Sequence, residues 1–185
     1  MNNILWYLGR ASGIVAMVLA AASLMWGLLF SGRETGKRLR PAWWLDLHNW
    51  LGGLAVVFTG VHMVTLFADS DAAVSFVSLF VPNTARLQTA AITWGVLGMY
   101  GMLIPSITGL ARFKRRIRRN VWHVIHVISV PSVLFAGLHG YLTGSDRDTL
   151  AYKGLMVILV GLTVYPVTLR LFGIRAKRQA ATVPH

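Results

Sequence analysis

Five stretches of this chain are long and apolar enough to cross a bilayer: residues 4–30, 45–67, 90–110, 121–142 and 150–172. A spanning helix needs about 20 mostly apolar residues, and a hydrocarbon interior admits only helices or closed barrels. The expected fold is therefore all-α, an integral membrane bundle of five transmembrane helices forming a single domain over residues 1–185. The first stretch is too long, and its start too poor in basic residues, for a cleaved signal peptide, so it reads as a retained helix. Composition agrees. Apolar residues make up 55% of the chain and charged residues only 13%, where a soluble domain carries about 25% charged. Disorder needs low hydrophobicity and is ruled out. A nucleic-acid module would set many charges over a modest core, so no nucleic-acid partner is expected. The lack of cysteine removes disulfides, Cys-ligated zinc, iron–sulfur clusters and c-type haem attachment.

Charge orients the bundle. The net charge is +12, and 14 of the 18 Lys and Arg fall on one side. They are Arg33, Lys37, Arg38 and Arg40, the six of the RFKRRIRR segment at 112–119, and Arg170, Arg175, Lys177 and Arg178. The other side holds Asp69, Asp71, Asp146 and Asp148, with only Arg10, Arg86, Arg147 and Lys153. The positive-inside rule puts the basic side in the cytoplasm, the N-terminus outside and the C-terminus inside. An odd number of helices agrees. RFKRRIRR then reads as a cytoplasmic loop near anionic lipid. Trp6, Trp26, Trp43, Trp44 and Trp122 fall near the expected interfaces, as aromatic belts do. The apolar patch at 76–81 (FVSLFV) is too short to span and is expected at the interface or over a helix end. Pro105, Pro131 and Pro166 lie inside spanning stretches, where membrane helices accept a local kink.

Six histidines remain, and apart from the terminal His185 they occupy only two helices. The second helix has His48 and His62; the fourth has His123, His126 and His139. Ionisable groups at membrane depth are costly and mark function. His48 and His62 are fourteen residues apart, a rise of about 21 Å with a rotation of only about 40°, so they share a face. His126 and His139 are thirteen apart, a rise of about 20 Å. The second and fourth helices run parallel, so His48 matches His126 in depth and His62 matches His139. Two levels with two imidazoles each suit two b-type haems with bis-histidine axial ligation. Gly52, Gly53, Gly60 and Gly137 would let a flat macrocycle approach the helices. Arg40 and the 112–119 loop are expected partners for the inner propionates, and Arg10 and Arg86 for the outer ones. One feature resists an ideal helix: thirteen residues rotate by about 140° away from a common face. Pro131 lies between the two histidines and allows local rewinding. His123 is a rival inner ligand, with an offset of about 160° from His139.

The pairing of LHNWLGG…GVH with W-x-x-x-H…GLH resembles the ferric reductase-like transmembrane domain, from about Leu8 to Tyr165. That group includes NADPH oxidases, ferric reductases and the haem-binding membrane subunit of the periplasmic methionine sulfoxide reductase system. Its histidine spacing, fourteen in one helix and thirteen in the next but one, is the same. The resemblance implies that His48 and His126 hold an inner haem iron and His62 and His139 an outer one. Larger relatives append a cytoplasmic FAD/NADPH domain. Here only about a dozen residues follow the fifth helix, with no G-x-G-x-x-G after a strand and no Walker loop. The expectation is a stand-alone, multi-pass cytochrome b of a prokaryotic cytoplasmic membrane, in contact with lipid. It would take electrons from a separate donor (a flavoprotein, reduced flavin or quinol) and pass them to an external acceptor, a protein or Fe(III). No catalytic residue is expected, and Asp46 reads as a solvated helix end. The competing readings are a transporter or channel using the histidines for protons or divalent metal, and a scaffold in which they only hydrogen-bond.

Overall fold

The computed structural model describes residues 3–32 and 41–181. Eight helices follow in order: α1 (Asn3–Gly32), α2 (Pro41–Ala68), α3 (Phe76–Phe80), α4 (Thr89–Gly109), α5 (Ala111–Lys114), α6 (Arg119–Val127), α7 (Ser129–Thr143) and α8 (Leu150–Ala181). Among the described residues there is no strand. Five segments are long and apolar enough to cross a membrane: Ile4–Leu29, Trp43–Ala68, Thr89–Gly109, Arg119–Thr143 and Leu150–Phe172. These are the five expected stretches, so the chain is a multi-pass membrane protein whose outer faces meet lipid. The outer face of α2 shows this: Trp50, Val57 and Val64 are exposed at seven-residue intervals, which a helix places on one side.

The fourth stretch differs from a single helix. It is two helices, broken at Ile128. Pro131 has no N–H for the carbonyl of Val127. The backbone tightens there: Ile128 N–H donates to Ile125 O at 3.2 Å, and Ser129 Oγ donates to His126 O at 2.7 Å. Pro105 and Pro166 lie inside continuous helices instead.

Helix packing sets the site. α1 runs along α2, α4 runs along α7, α1 also packs on α7, and α2 touches α4. These four form a ring in which α2 and α7 stand on a diagonal, with at most glancing contact between them. α8 lies outside, against α1 and α7. Met17, Ala21, Leu24, Val133 and Leu159 form the core where α1, α7 and α8 meet. The α4–α7 pair is the tightest seam. A Cβ on Gly101 would stand 2.6 Å from Ser132 Cβ, and one on Gly98 would stand 3.0 Å from Ala136 N. Small residues permit such close approach between membrane helices.

The 76–81 patch packs over helix ends. Phe76 meets Phe67 of α2 edge-on at 5.9 Å, and Tyr100 O–H of α4 donates to Phe80 O at 3.0 Å. Ser75 caps α3 by accepting from Ser78 N–H at 3.2 Å, and Ser78 is wholly buried.

Gly101→Val is expected to push α4 and α7 apart and to cost about 1–3 kcal/mol, as overpacking does. Thermal unfolding in detergent checks it; an unchanged midpoint would show that the seam yields.

Candidate functional site: two histidine pairs on the bundle diagonal

α2 carries His48 and His62, α6 carries His126 and α7 carries His139, and their rings meet in pairs between these helices. The His48 and His126 centroids are 5.7 Å apart with planes at 68°. The His62 and His139 centroids are 6.2 Å apart with planes at 79°. Along α2 the two levels are separated by about 21 Å. The break at Ile128 reconciles the thirteen-residue spacing with this pairing, since each half of the broken helix turns its own histidine towards α2. His123 is exposed and stands apart from the pair.

Three of the four rings are held alike. His62 Nδ1 donates to Gly9 O at 2.7 Å, His48 Nδ1 to Ser23 O at 2.9 Å, and His139 Nδ1 to Ala91 O at 2.8 Å. Ser23 Oγ also lies 3.1 Å from His48 Nδ1. A carbonyl only accepts, so Nδ1 carries the proton and Nε2 keeps its lone pair. That is how imidazoles are prepared as metal ligands.

Each of these rings also lies against a glycine four residues beyond its carbonyl partner. A Cβ would come within 2.9 Å of the His62 ring at Gly13, 3.0 Å of the His48 ring at Gly27 and 2.7 Å of the His139 ring at Gly95. The two stations on α1 are fourteen residues apart, as His48 and His62 are. On α4 the same interval from Ala91 and Gly95 leads to Pro105 and Gly109. There α4 ends, and a Cβ on Gly109 would meet nothing within 4 Å. His126, thirteen residues from His139, lacks such a seat. Its Nδ1 is buried without a hydrogen-bond partner, and its ring stacks on Trp122 at 4.7 Å and 19°.

A cavity of about 150 Å³ adjoins the His62–His139 pair, lined also by Arg10, Ser78 and Tyr152. Arg10 forms an ion pair with Asp146 and lies over the Tyr152 ring at 4.9 Å. Among the described residues, five buried side-chain atoms lack a hydrogen-bond partner: Arg10 Nε, Tyr152 Oη, His126 Nδ1, Trp122 Nε1 and Trp26 Nε1. Arg10 and Tyr152 belong to the residues that line the cavity. Trp122 and His126 stack at the other level, and Trp26 precedes Gly27, which backs His48. Trp26 itself stacks on Trp44 at 4.1 Å, and Trp44 Nε1 donates to Trp26 O at 3.1 Å. Buried polar groups left open in a structure ask for a ligand.

The remaining expected site residues fall elsewhere. Arg86 is exposed in the loop before α4 and does not line the cavity. Arg40 lies outside the described residues. Asp46 is exposed. Gly53, Gly60 and Gly137 face open space, and Gly52 faces Ser23 Oγ at 3.3 Å. Sequence reasoning missed Gly13, Gly27, Gly95 and Tyr152. The repeated four- and fourteen-residue intervals of the glycines were the available signal; Tyr152 had none.

The chain is thus a multi-pass membrane bundle with two facing histidine pairs in its interior. The family model described as ferric reductase like transmembrane component matches residues 12–137, and the chain belongs to that family. The match takes in His48, His62 and His126 and stops two residues before His139. Domains of this family are generally haem-binding, and the family implies transmembrane electron transfer. No curated protein and no solved structure matches the chain.

Asp146→Asn is expected to leave Arg10 without its counter-charge at the mouth of the cavity. Asp146 is 38% exposed, so the loss should be about 1 kcal/mol rather than the 3–5 kcal/mol of a fully buried pair. Thermal unfolding of the variant reads it; a wild-type midpoint would mean that the pair does not hold Arg10.

Proposed function

We propose that the protein is a diheme b-type membrane cytochrome that carries electrons across the cytoplasmic membrane of a prokaryote to an external acceptor. The observation that supports this most is the preparation of the histidines. Three of the four carry their proton on Nδ1 and leave Nε2 free to ligate. The rings face each other in twos, with centroids 5.7 and 6.2 Å apart. His48 and His126 would hold one haem iron, and His62 and His139 the other.

Haem, when bound, supplies the one-electron chemistry. The chain supplies binding and position. The carbonyls of Gly9, Ser23 and Ala91 hold three imidazoles in the ligating tautomer. Gly13, Gly27 and Gly95 leave room for those rings. Arg10 and Tyr152, which line the cavity, would receive the propionates of the His62–His139 haem. Arg86 and Arg40 keep this role as proposals from the sequence alone. The cavity beside the His62–His139 pair is walled mostly by apolar side chains.

The distribution of basic residues supports an external N-terminus and a cytoplasmic C-terminus. The His48–His126 level is then the inner one. The whole chain acts as a single membrane unit that depends on a separate donor, a flavoprotein, reduced flavin or quinol. With both histidines of each pair holding a haem, the chain would favour outer-sphere transfer to a docked acceptor, a protein or Fe(III).

A reduced-minus-oxidised optical spectrum of the purified protein should show sharp b-type bands, with about two haems per chain. His48→Ala and His139→Ala should each remove one haem. A colourless protein from haem-supplied cells would refute the reading and bring proton or metal passage forward.

The glycines give an independent check. Gly13→Ala and Gly95→Ala should loosen the His62–His139 haem, and Gly27→Ala the other, each raising haem loss by about 10–100-fold, as changes behind a metal ligand do. Gly53→Ala should do neither. Transfer of haem to an apoprotein acceptor measures the rates, and equal rates in all four variants would contradict the assigned seats.

A further inference from the structure

His126 is the histidine without a carbonyl. Its Nδ1 is buried and unpartnered, none of the described glycines cradles its ring, and α4 has run out at Gly109 where the fourth seat would lie. Something else must fix its plane. Trp122 stands four residues earlier on α6, the spacing that stacks side chains on one helix face. Its indole lies nearly parallel to the imidazole, 4.7 Å away at 19°. The Lys114 ammonium lies 4.6 Å from the centre of the same indole, in cation–π range. The side chains therefore run from the basic 111–119 connection through an indole to the ring facing His48.

We propose that Trp122 is the positioning residue of His126, substituting face-to-face stacking for the hydrogen bond that orients the other three histidines. The assignment rests on the bis-histidine haem reading above. Stacking fixes the ring plane but does not pull on Nδ1–H. A hydrogen bond at that nitrogen raises the basicity of a ligating imidazole, so His126 is the weakest donor of the four. The His48–His126 level is accordingly the one whose ligation depends on a single aromatic side chain. Trp122 touches no reacting atom in this role; it acts through the imidazole.

The test uses the full-length haem-loaded protein and compares Trp122→Leu with Trp122→Phe. The readouts are low-spin EPR g-values, midpoint potentials and haem-loss rates for each level. His48→Ala and His139→Ala assign the signals. Trp122→Leu is expected to change the g-values of the His48–His126 haem and to speed its loss by about 10–100-fold. The signals of the His62–His139 haem should stay as in the wild type and so report an intact fold. Trp122→Phe, which keeps a ring to stack, should restore the wild-type g-values and loss rate. Unchanged g-values, potential and loss rate in Trp122→Leu would overturn the proposal. So would loss of both haems together, because the indole would then support the bundle rather than one ligand, and so would a Phe variant that behaves like Leu. A wild type without haem would instead strike the proposed function itself, before any variant is compared.

Discussion

Inside a bilayer a helix uses its backbone N–H groups on itself, yet each carbonyl oxygen keeps a second lone pair. Three of the four inward histidines are fastened to that spare capacity, through Gly9 O, Ser23 O and Ala91 O. Much else depends on this contact. It sets the tautomer, so Nε2 is the nitrogen left with a lone pair. It requires the flanking helix to lie close, which is why a glycine stands four residues beyond each acceptor. It also ties α2 to α1 and α7 to α4, the two longest seams of the bundle. No charged side chain is spent on orienting these rings, and only His48 has a polar one, Ser23 Oγ, beside its Nδ1. That matters where an unpaired polar group costs several kcal/mol.

The spans and the histidine pairs were legible in the sequence because both are periodic properties of single helices. Apolar length announces a crossing. A fourteen-residue interval announces a shared face, and parallel helices announce matched depths. What stands opposite a face is not periodic in the same helix. Glycine was sought on the histidine helices, at Gly52, Gly53, Gly60 and Gly137, whereas the rings lean on Gly13, Gly27 and Gly95 of their neighbours. The partner of Arg10 was equally hidden. Asp146 lies 136 residues along the chain, and only the fold brings the two together. The thirteen-residue interval looked like a defect of the pairing. The break at Ile128 absorbs it, and the cost falls on His126, which loses its seat on α4.

The two levels are thus unequal in construction. Around His62 and His139 both imidazoles are carbonyl-bound, a cavity lies beside them, and an ion-paired arginine and a buried tyrosine close its end. Around His48 and His126 one imidazole is carbonyl-bound and the other leans on Trp122, with Trp26 and Trp44 stacked nearby. The indole-rich level lies towards the basic connections, and the carboxylate-bearing level towards the acidic loops. The asymmetry in charge between the two ends of the bundle is therefore matched by an asymmetry in how the histidines of each pair are held.

The diagonal placement of α2 and α7 bears on biosynthesis. The first half of the chain supplies one histidine to each pair and the second half supplies the other, so neither half holds a complete pair. During translation α1 and α2 are made first, and their seam contains both carbonyl bonds to His48 and His62. The imidazoles that face them, on α6 and α7, follow only later in the chain. Neither pair is complete until the second half of the bundle has entered the lipid beside the first.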